Sequence, residues 1–557
     1  MTTANIKVTF EPTGRTVWVL PGTSVSEAAG RAGLNLDMPC GGTGVCGKCR
    51  VRFITGAPEK SGAGRNVLSE EELEAGWRLA CQAAIETPAV VAIPETSLFA
   101  DRLQILTESV RIVELSRGEP PHRKLPLSLV EGEANFAVAF DVGTTTLVGE
   151  MLELPGGGER AIAAGINPQV SFGDDVVSRI GRACTSPAAA KELQDAVVGA
   201  INTLIDELCE SAGADRQTIR GISFSGNTTM QHLLLGLSVE TLSRLPFAPA
   251  RTASLEAPAE KLGFALAPGG RAWVMPVIGG FVGGDTTAGI LSSRLDELEG
   301  PAVMIDIGTN GEIVLSAGGE LYAASAAAGP AFEGARIACG MRAAAGAIEK
   351  VVFDGDLQTS VIGGVEPIGL CGSALVDITA ELLRCGLLES TGRLHSQASA
   401  PAGACEALRR RLRNNEAGEP EFLLAAGTQG RPDVVLTQRD VRELQLAAGA
   451  LRAGVSILLK QAGVQPGDLK QVLIAGGFGS FIRRSNAQRI GLIPAELSHE
   501  KISYVGNVSL HGAKWVLVSA AARERAEQIA RRTKHVDLSS DANFQTAFAE
   551  AMIFPER

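Results

Sequence analysis

Two segments of this chain follow one pattern, and this internal repeat is the strongest constraint on the fold. Residues 136–151 read FAVAFDVGTTTLVGEM and residues 301–316 read PAVMIDIGTNGEIVLS. Each segment is an apolar run, an Asp, a Gly-Thr pair and a second apolar run. Each is followed by helical stretches and a later strand that ends in small residues, at 221–230 and 471–480. The repeat predicts two related halves, the second enlarged by an insertion around 352–430.

Length and charge limit the classes of partner. At roughly 100–200 residues per domain, 557 residues allow several domains. The net charge of −11 disfavours binding to nucleic acid or to an anionic membrane surface. The sequence shows no apolar run of the ~18–20 residues that span a bilayer, and its start, MTTANIKVTF, lacks a signal-peptide pattern. We therefore expect a cytoplasmic protein with neither a nucleic-acid nor a membrane partner.

The first hundred residues predict a small α+β domain. Ile6, Val8 and Phe10 alternate with polar residues, as in a half-buried strand. Ser24 and Glu27 have the spacing of a capping box before a short helix that runs through Ala29. The expected organisation is an N-terminal domain, a linker rich in charge and proline, two related α/β domains and a C-terminal tail, at 1–95, 96–135, 136–300, 301–540 and 541–557.

Four cysteines predict a metal site in the N-terminal domain. Cys40, Cys46 and Cys49 form C-x5-C-x2-C, and 31 residues separate Cys49 from Cys81. The loop is rich in glycine, so its backbone amides are free to approach bridging sulfides. Zinc and unligated thiols stay open as alternatives, although a zinc site more often has two short C-x2-C pairs. The pattern favours a [2Fe–2S] cluster.

The segment CGGTGVCGKC, with a distant cysteine in WRLACQ, resembles a [2Fe–2S] ferredoxin of β-grasp fold over residues 1–95. Five residues separate the first two cysteines where plant-type ferredoxins have four. This departure is similar to the adrenodoxin-like branch. The resemblance implies that all four cysteines are cluster ligands.

Three glycine-containing loops predict a nucleotide site. In each repeat a glycine between two strands makes a tight hairpin, whose amides and hydroxyls can hold phosphate oxygens. An Asp beside such a loop can hold Mg²⁺ through water. A single Asp-x-Gly-Thr is usually only a turn, but two copies followed by Gly-Gly-Phe-Gly favour a triphosphate site. The candidate residues are Asp141, Gly143, Thr144, Thr145 and Thr146 in the first loop, Asp306, Gly308, Thr309, Asn310 and Gly311 in the second, and Gly476, Gly477 and Phe478 in the third.

These loops resemble the acetate/sugar kinase, heat-shock and actin superfamily over about residues 136–540. The resemblance implies two RNase H-like domains with ATP in the cleft between them. It assigns Asp141 and Asp306 to the metal and phosphates, residues 144–146 and Thr309 to phosphate contacts, and residues 476–478 to adenosine.

Longer segments resemble the reductive activators of corrinoid-dependent methyltransferases across nearly the whole chain. They include INPQVSFGDDVVSRI at 166–180, GNTTM at 226–230 and FVGGD at 281–285. The resemblance implies ATP-dependent one-electron reduction of Co(II) corrinoid to Co(I). It also implies a corrinoid protein and an electron donor as partners, and suggests a homodimer.

Other functions, and purely structural roles for some candidate residues, remain open. A redox-gated small-molecule kinase would need an acceptor pocket with its own base. Asp174, Asp175 and Glu333 are candidates for positioning water, but a solvated turn and an acid at a helix N-terminus explain them equally well. A scaffold without activity is disfavoured because Asp141, Asp306 and the glycine loops are intact.

Overall fold

The N-terminal part of the chain forms a five-stranded sheet, a two-stranded sheet and two helices. The computed structural model describes residues 6–556 except 33, 35, 37, 39–43, 45–46, 59–66, 95–96, 98–124, 127–135, 174, 429–430 and 477–481. The strand order is β2-β1-β7-β4-β5. The strands are β1 (Ile6–Glu11), β2 (Arg15–Val19), β3 (Thr23–Ser24), β4 (Arg50–Thr55), β5 (Trp77–Leu79), β6 (Ala84–Ile85) and β7 (Ala89–Ala92), and the helices are α1 (Val25–Arg31) and α2 (Glu70–Glu74).

The predicted strand and helix signals are present in this domain. Inward residues alternate along β1, which pairs with β2 in an antiparallel hairpin. The hydroxyl of Ser24 caps α1 by accepting a hydrogen bond from the amide of Glu27 at 3.2 Å. Helix α1 ends at Arg31, two residues beyond the predicted end at Ala29.

The first repeat opens a six-stranded sheet in the order β10-β9-β8-β11-β13-β12. Strands β8, β9 and β10 form an antiparallel meander, and β11 and β13 are parallel to β8 and β11 respectively. The strands are β8 (Phe136–Val142), β9 (Thr146–Glu153), β10 (Gly158–Ile166), β11 (Ile219–Gly226), β12 (Leu255–Pro258) and β13 (Arg271–Val274); the helices are α3 (Val176–Ala183), α4 (Pro187–Ala212), α5 (Thr228–Leu234) and α6 (Gly284–Ser293).

The second repeat builds the same arrangement, in the order β24-β23-β14-β15-β16-β25. Again three strands form a meander and the next two run parallel to the first. The strands are β14 (Ala302–Ile307), β15 (Gly311–Ala317), β16 (Glu320–Ala326), β17 (Ala347–Asp354), β18 (Asp356–Val361), β19 (Gly369–Leu370), β20 (Leu412–Asn414), β21 (Pro420–Ala425), β22 (Val434–Thr437), β23 (Gln471–Ala475), β24 (Ile502–Gly506) and β25 (Lys534–His535); the helices are α7 (Gly372–Arg384), α8 (Glu406–Arg409), α9 (Gln438–Ala462), α10 (Arg484–Arg489), α11 (Val508–Val518), α12 (Ala520–Arg532) and α13 (Phe544–Ala551).

Two regions that the sequence left without a fold are ordered elements here. The insertion contains the hairpin β17–β18, the buried helix α7 and the small antiparallel sheet β20–β21–β22. The last residues, expected as a tail, form α13 and pack on α9: Gln445 of α9 donates to the carbonyl of Met552 at 2.7 Å. None of the helices in the described part of the chain is both long and apolar enough to cross a membrane.

Helices α6 and α11 cross between the two sheets, and each packs on the sheet of the other half. Leu510, Ala513 and Leu517 of α11 lie against the first sheet. Residues of α6, such as Ile290, pack with the second sheet. At the crossing, a Cβ on Gly512 would lie 2.5 Å from the Cα of Ala288, so the two helices touch backbone to backbone.

We expect Gly512→Ala to destabilise the protein by roughly 1–3 kcal/mol, because overpacking at the crossing outweighs the ~1 kcal/mol by which alanine favours a helix. The shift in thermal unfolding midpoint measures it. Gly199→Ala is the matched control, since Gly199 lies in α4 with open space around its Cα, and it should raise the midpoint. Equal shifts for both variants would contradict the tight crossing.

Candidate active site

Asp141 and Asp306 end the first strands of the two sheets and face one cleft. Asp141 pairs in register with Ser225 of β11, and Asp306 pairs with Ala475 of β23. The carboxyl ends of these parallel strands therefore meet at the cleft, which is the edge where α/β sheets commonly bind ligands. Residues of both halves line one cavity at this cleft, which is partly open to solvent.

The N-terminus of α11 holds the carboxylate of Asp141. Asn507 donates from Nδ2 to Oδ2 of Asp141 at 2.8 Å, and the hydroxyl of Ser509 donates to Oδ1 at 2.6 Å. Asn507 also caps α11, because its Oδ1 accepts from the amide of Leu510 at 2.8 Å. The helix that crosses between the halves therefore begins on the carboxylate of the first loop.

The first loop is a tight turn with hydroxyl groups toward the cleft. The amide of Gly143 donates to the carbonyl of Thr146 at 2.9 Å, and a Cβ on Gly143 would lie 2.6 Å from that oxygen. The hydroxyl of Thr144 accepts from Nδ2 of Asn227, which caps α5, at 2.9 Å. The loop is thus fixed before any ligand arrives, as a phosphate-binding turn requires.

The second loop meets the first across the cleft. Oγ1 of Thr309 lies 3.4 Å from Oγ1 of Thr145. Thr309 also donates a hydrogen bond to Glu333, which lines the same cavity together with Gly308 and Asn310. The two threonines bring both halves within reach of one phosphate chain.

Gly311 stands apart from this group. It does not line the cavity, and a Cβ there would lie 1.9 Å from Cδ2 of Leu451 in α9. The glycine makes room for a buried leucine at the start of β15, so its place in the fold is explained by packing.

The third loop begins where only glycine fits. Gly476 has φ of +91°, and a Cβ would lie 2.7 Å from Oδ1 of Asp306. Gly477 and Phe478 lie outside the described residues. The opposite wall of the cavity is formed by two segments, residues 341–343 and 371–373, the latter at the N-terminus of α7.

Besides Glu333, four acidic side chains line the cavity. Burial, followed by the negative charges of Asp285 and Asp141, raises the pKa of Asp306 to about 8. Burial and the charge of Asp141 raise the pKa of Asp285 to about 7. Burial raises the pKa of Glu312 well above its usual range, with Asp285 and Asp306 adding to it, and burial raises the pKa of Asp141. This concentration of acidic groups in one cleft favours the binding of a cation.

The carboxylates suit a hydrated ion. Among the residues that the structure describes, no three His, Cys, Asp or Glu side chains are grouped closely enough to hold a metal directly. Mg²⁺ keeps several of its waters in most protein sites and takes further oxygens from substrate phosphates. The acids therefore fit Mg²⁺ that arrives with a nucleotide and is held through water.

We expect the stability of the metal-free protein to fall as the pH rises from about 4 to about 8. The ordinary pKa of an Asp side chain is 3.8, whereas the pKa of Asp306 is about 8 in the folded protein. Between these values the folded state holds more protons than the unfolded state, so raising the pH favours unfolding. In Asp306→Asn the decline should be shallower. Thermal midpoints of both proteins across this range, without Mg²⁺, give the comparison, and a difference that does not change with pH would contradict the assignment.

Two of the four predicted cluster cysteines are described, and they lie together. Sγ of Cys49 is 3.4 Å from Sγ of Cys81. Two thiolates at ~2.3 Å from one tetrahedral metal lie roughly 3.8 Å apart, so the pair fits two ligands of a single iron. Cys40 and Cys46 lie outside the described residues. Gly44 and Gly47 have φ of +79° and +68°, which only glycine adopts readily, and they shape the ligand loop.

Sequence reasoning assigned no role to several residues of the cavity. They are Asn227, Asp285, Glu312, Asn507 and Ser509. One signal was available: a Gly-Asn pair follows a strand in both halves, at 226–227 and 506–507. Of the two acids at 174–175, Asp174 is outside the described residues, and Asp175 caps α3 by accepting from the amide of Ser178 at 2.7 Å.

The fold and cleft define a two-lobed nucleotide-binding protein of the acetate/sugar kinase, heat-shock and actin type, preceded by a ferredoxin-like domain. Residues 8–86 match the family described as "2Fe-2S iron-sulfur cluster binding domain", residues 136–298 match "RACo middle region", and residues 300–557 match "C-terminal domain of RACo the ASKHA domain".

Two of the similar proteins match nearly the whole chain, and a third matches about half of it. The chain is 30% identical to the corrinoid activation enzyme RamQ of Eubacterium limosum, over 95% of this chain and 96% of that protein. It is 27% identical to the Co(II) methylated amine-specific corrinoid protein reductase of Methanosarcina barkeri, over 49% of this chain and 50% of that protein. The solved reductive activator for corrinoid, iron-sulfur protein is 30% identical, with a TM-score of 0.70 over 99% of this chain and 98% of that chain. The chain belongs to the RACo-type family of reductive activators of corrinoid proteins.

Proposed function

We propose that this chain uses ATP to drive the one-electron reduction of a Co(II) corrinoid protein to Co(I). The observation that carries the proposal is the pairing, in one polypeptide, of a nucleotide cleft with a thiol pair at iron-ligand spacing. When bound, a [2Fe–2S] cluster supplies electrons one at a time, and this number matches the change from Co(II) to Co(I). An external donor must then restore the electron after each transfer.

The energy of ATP is needed if the cobalt couple lies below the couple of the cluster. For one electron, each 59 mV of uphill potential costs ~1.4 kcal/mol. The chain need not phosphorylate anything to meet this cost. Nucleotide binding can favour a complex in which the cobalt loses its lower ligand and becomes easier to reduce. Hydrolysis then releases the partner.

The residues of the cleft have separate tasks in this scheme. Asp141 and Asp306 would hold Mg²⁺ through water, and Asp285 and Glu312 would add negative charge around it. The hydroxyls of residues 144–146 and Thr309 bind phosphate oxygens, and Gly476 admits the adenosine. Thr145 and Thr309 belong to different halves, and their Oγ1 atoms lie 3.4 Å apart. A triphosphate that contacts both hydroxyls would therefore affect the positions of both halves.

A redox-gated kinase is the alternative that the sequence left open. It needs an acceptor with its own base, and Asp175, a candidate for that base, is engaged as a helix cap. We therefore favour hydrolysis without a phosphorylated product.

The decisive experiment mixes the iron-loaded protein with a Co(II) corrinoid protein, a low-potential reductant and Mg²⁺–ATP, and follows the absorbance of Co(I). We expect Co(I) to form at least tenfold faster with Mg²⁺–ATP than without nucleotide. A non-hydrolysable analogue should support at most one turnover. Equal rates with and without ATP would refute the proposal, and a phosphorylated small molecule among the products would favour the kinase.

A further inference from the structure

Four charged side chains join the ferredoxin-like domain to the first nucleotide-binding lobe. Glu27 and Arg31 project from α1, Arg182 ends α3 and Glu192 lies on α4. Two contacts cross between the domains: Nε of Arg31 lies 2.6 Å from Oε1 of Glu192, and Nη2 of Arg182 lies 2.6 Å from Oε1 of Glu27. Two more lie within the domains, Arg31 to Glu27 at 2.9 Å and Arg182 to Glu192 at 3.0 Å. We call these residues the charge quartet.

A close contact beside the charge quartet fixes how α1 lies on the lobe. A Cβ on Gly30 would lie 2.6 Å from the Cβ of Ser171, which is buried. Ser171 is the last residue of the 3₁₀ turn Pro168–Ser171, within the segment INPQVSFGDDVVSRI. Since no other residue fits at Gly30 without movement, the surface of α1 and this turn are complementary in shape as well as in charge.

The same turn is bonded to the first phosphate loop. Asn167, fully buried, donates from Nδ2 to the carbonyl of Gly143 at 2.9 Å and from its amide to the carbonyl of Thr145 at 2.9 Å. Its Oδ1 caps the turn by accepting from the amide of Gln169 at 3.1 Å. Gln169 in turn accepts from the buried Arg179 of α3 at 3.2 Å, and α3 carries Arg182 of the charge quartet.

On its other side, α1 is hydrogen-bonded to the loop that contains Cys81. The amide of Ser26 donates to the carbonyl of Ala80 at 3.1 Å, and the amide of Val25 donates to the carbonyl of Ala83 at 2.9 Å. Cys81 lies between these two carbonyls. A continuous path of hydrogen bonds and packed backbone thus runs from the phosphate loop, through the turn and α1, to a cluster ligand.

We propose that the Ser171, Arg182 and Glu192 surface of the first lobe is a docking site for helix α1 of the ferredoxin-like domain, and that binding of Mg²⁺–ATP releases the domain from it. A phosphate chain that binds this loop displaces Gly143 and Thr145. The carbonyls of these two residues accept the hydrogen bonds that position Asn167. Any displacement there moves the turn against Gly30. Release frees the domain to carry its electron to the partner. This inference rests on the proposed function, of which it supplies the regulation.

Charge swaps test the docking site without changing the net charge. The double substitution Glu27→Arg with Arg31→Glu keeps the ion pair within α1 but sets like charges against Arg182 and Glu192. The double substitution Arg182→Glu with Glu192→Arg does the same from the other side. The quadruple variant restores opposite charges across the interface. Amide hydrogen exchange of residues 25–32 and 167–183 in the full, iron-loaded chain reports whether the surfaces are covered.

We expect each double variant to exchange at least threefold faster than the original protein in both segments, and the quadruple variant to return to the original rates. Mg²⁺–ATP should accelerate exchange in the original protein and have little effect on the double variants. Unchanged exchange in the double variants, or no recovery in the quadruple variant, would overturn the docking site. Exchange in α1 that is unchanged or slowed by Mg²⁺–ATP would overturn the nucleotide-linked release.

A steric variant gives an independent check. Gly30→Leu would collide with Ser171 while leaving the charge quartet in place, whereas Gly199→Leu adds the same side chain to open space on α4. Only Gly30→Leu should accelerate exchange, and both should keep their iron and their ATP hydrolysis. If the protein neither bound nor hydrolysed ATP, the proposed function would fail, while the docking itself would still be decided by the charge swaps.

Discussion

Asp306→Asn should abolish nucleotide-driven reduction of the corrinoid partner and leave the iron content unchanged. The amide keeps the size of the side chain but cannot carry the charge that holds hydrated Mg²⁺ between two halves of the cleft. Removal of one such electrostatic contact typically costs about 10²–10³-fold in rate, and we expect a loss of that size in both ATP hydrolysis and ATP-dependent Co(I) formation. Phosphate release and Co(I) absorbance measure the two rates.

The same substitution should raise the thermal midpoint of the metal-free protein at neutral pH. Asp306 lies among acids whose mutual repulsion and burial raise their pKa values, so a neutral amide relieves an unfavourable charge. Lost activity together with raised stability is the signature of a functional carboxylate, since damage to the fold would lower both. Asp195→Asn, at an exposed acid of α4, is the control and should change neither quantity. Activity within tenfold of the original protein would contradict the role of Asp306.

The repeated hairpins could be predicted because their signal is local. In each copy an apolar strand, an Asp, a glycine turn and a second strand are consecutive in the sequence, so the meander that they form needs no knowledge of the rest of the chain. The same register places Glu312 opposite Asp306 on the neighbouring strand. The hairpin pattern alone therefore contains the proximity of these two carboxyl groups.

The position of Asp285 in the site could not be predicted in the same way. It lies in the first turn of α6, a helix that leaves the first half of the chain and packs on the second sheet. Its proximity to Asp306 results from that crossing, which depends on contacts such as Gly512 against Ala288 that are far apart in sequence. Gly311 illustrates the opposite case: the repeat placed it with the phosphate contacts, whereas a leucine side chain of α9 explains it.

The C-terminal segment shows that apolar residues alone do not identify a packing partner. Phe544 and Phe548 of α13 are one turn apart, and their rings stack with centroids 5.9 Å apart. Both pack at the edge of the core formed with α9. The apolar residues of this short segment are compatible with a docked helix or with a tail, and the contacts with α9, which is far away in the sequence, decide between them.

Cys81→Ala should lower the rate of Co(I) formation at least about 10²-fold, while the rate of ATP hydrolysis stays within twofold of the original rate. Cys81 is the predicted ligand that lies against Cys49, so its loss would leave an iron with an incomplete thiolate set. Among the residues that the structure describes, those lining the nucleotide cleft fall within 141–509, and none belongs to the N-terminal domain. Iron content, visible absorbance and phosphate release measured on one preparation separate the two activities.

Cys209→Ala is the matched control, because Cys209 is a buried thiol on α4 with no predicted ligand role. It should keep both the absorbance of the cluster and the rate of Co(I) formation. Loss of the cluster from Cys81→Ala with undiminished ATP-dependent Co(I) formation would mean that the electron takes another route. Retention of the full cluster by Cys81→Ala would instead remove Cys81 from the ligand set. The cluster site and the nucleotide cleft lie in different domains. We therefore expect this single substitution to give a protein that hydrolyses ATP but does not reduce the corrinoid partner.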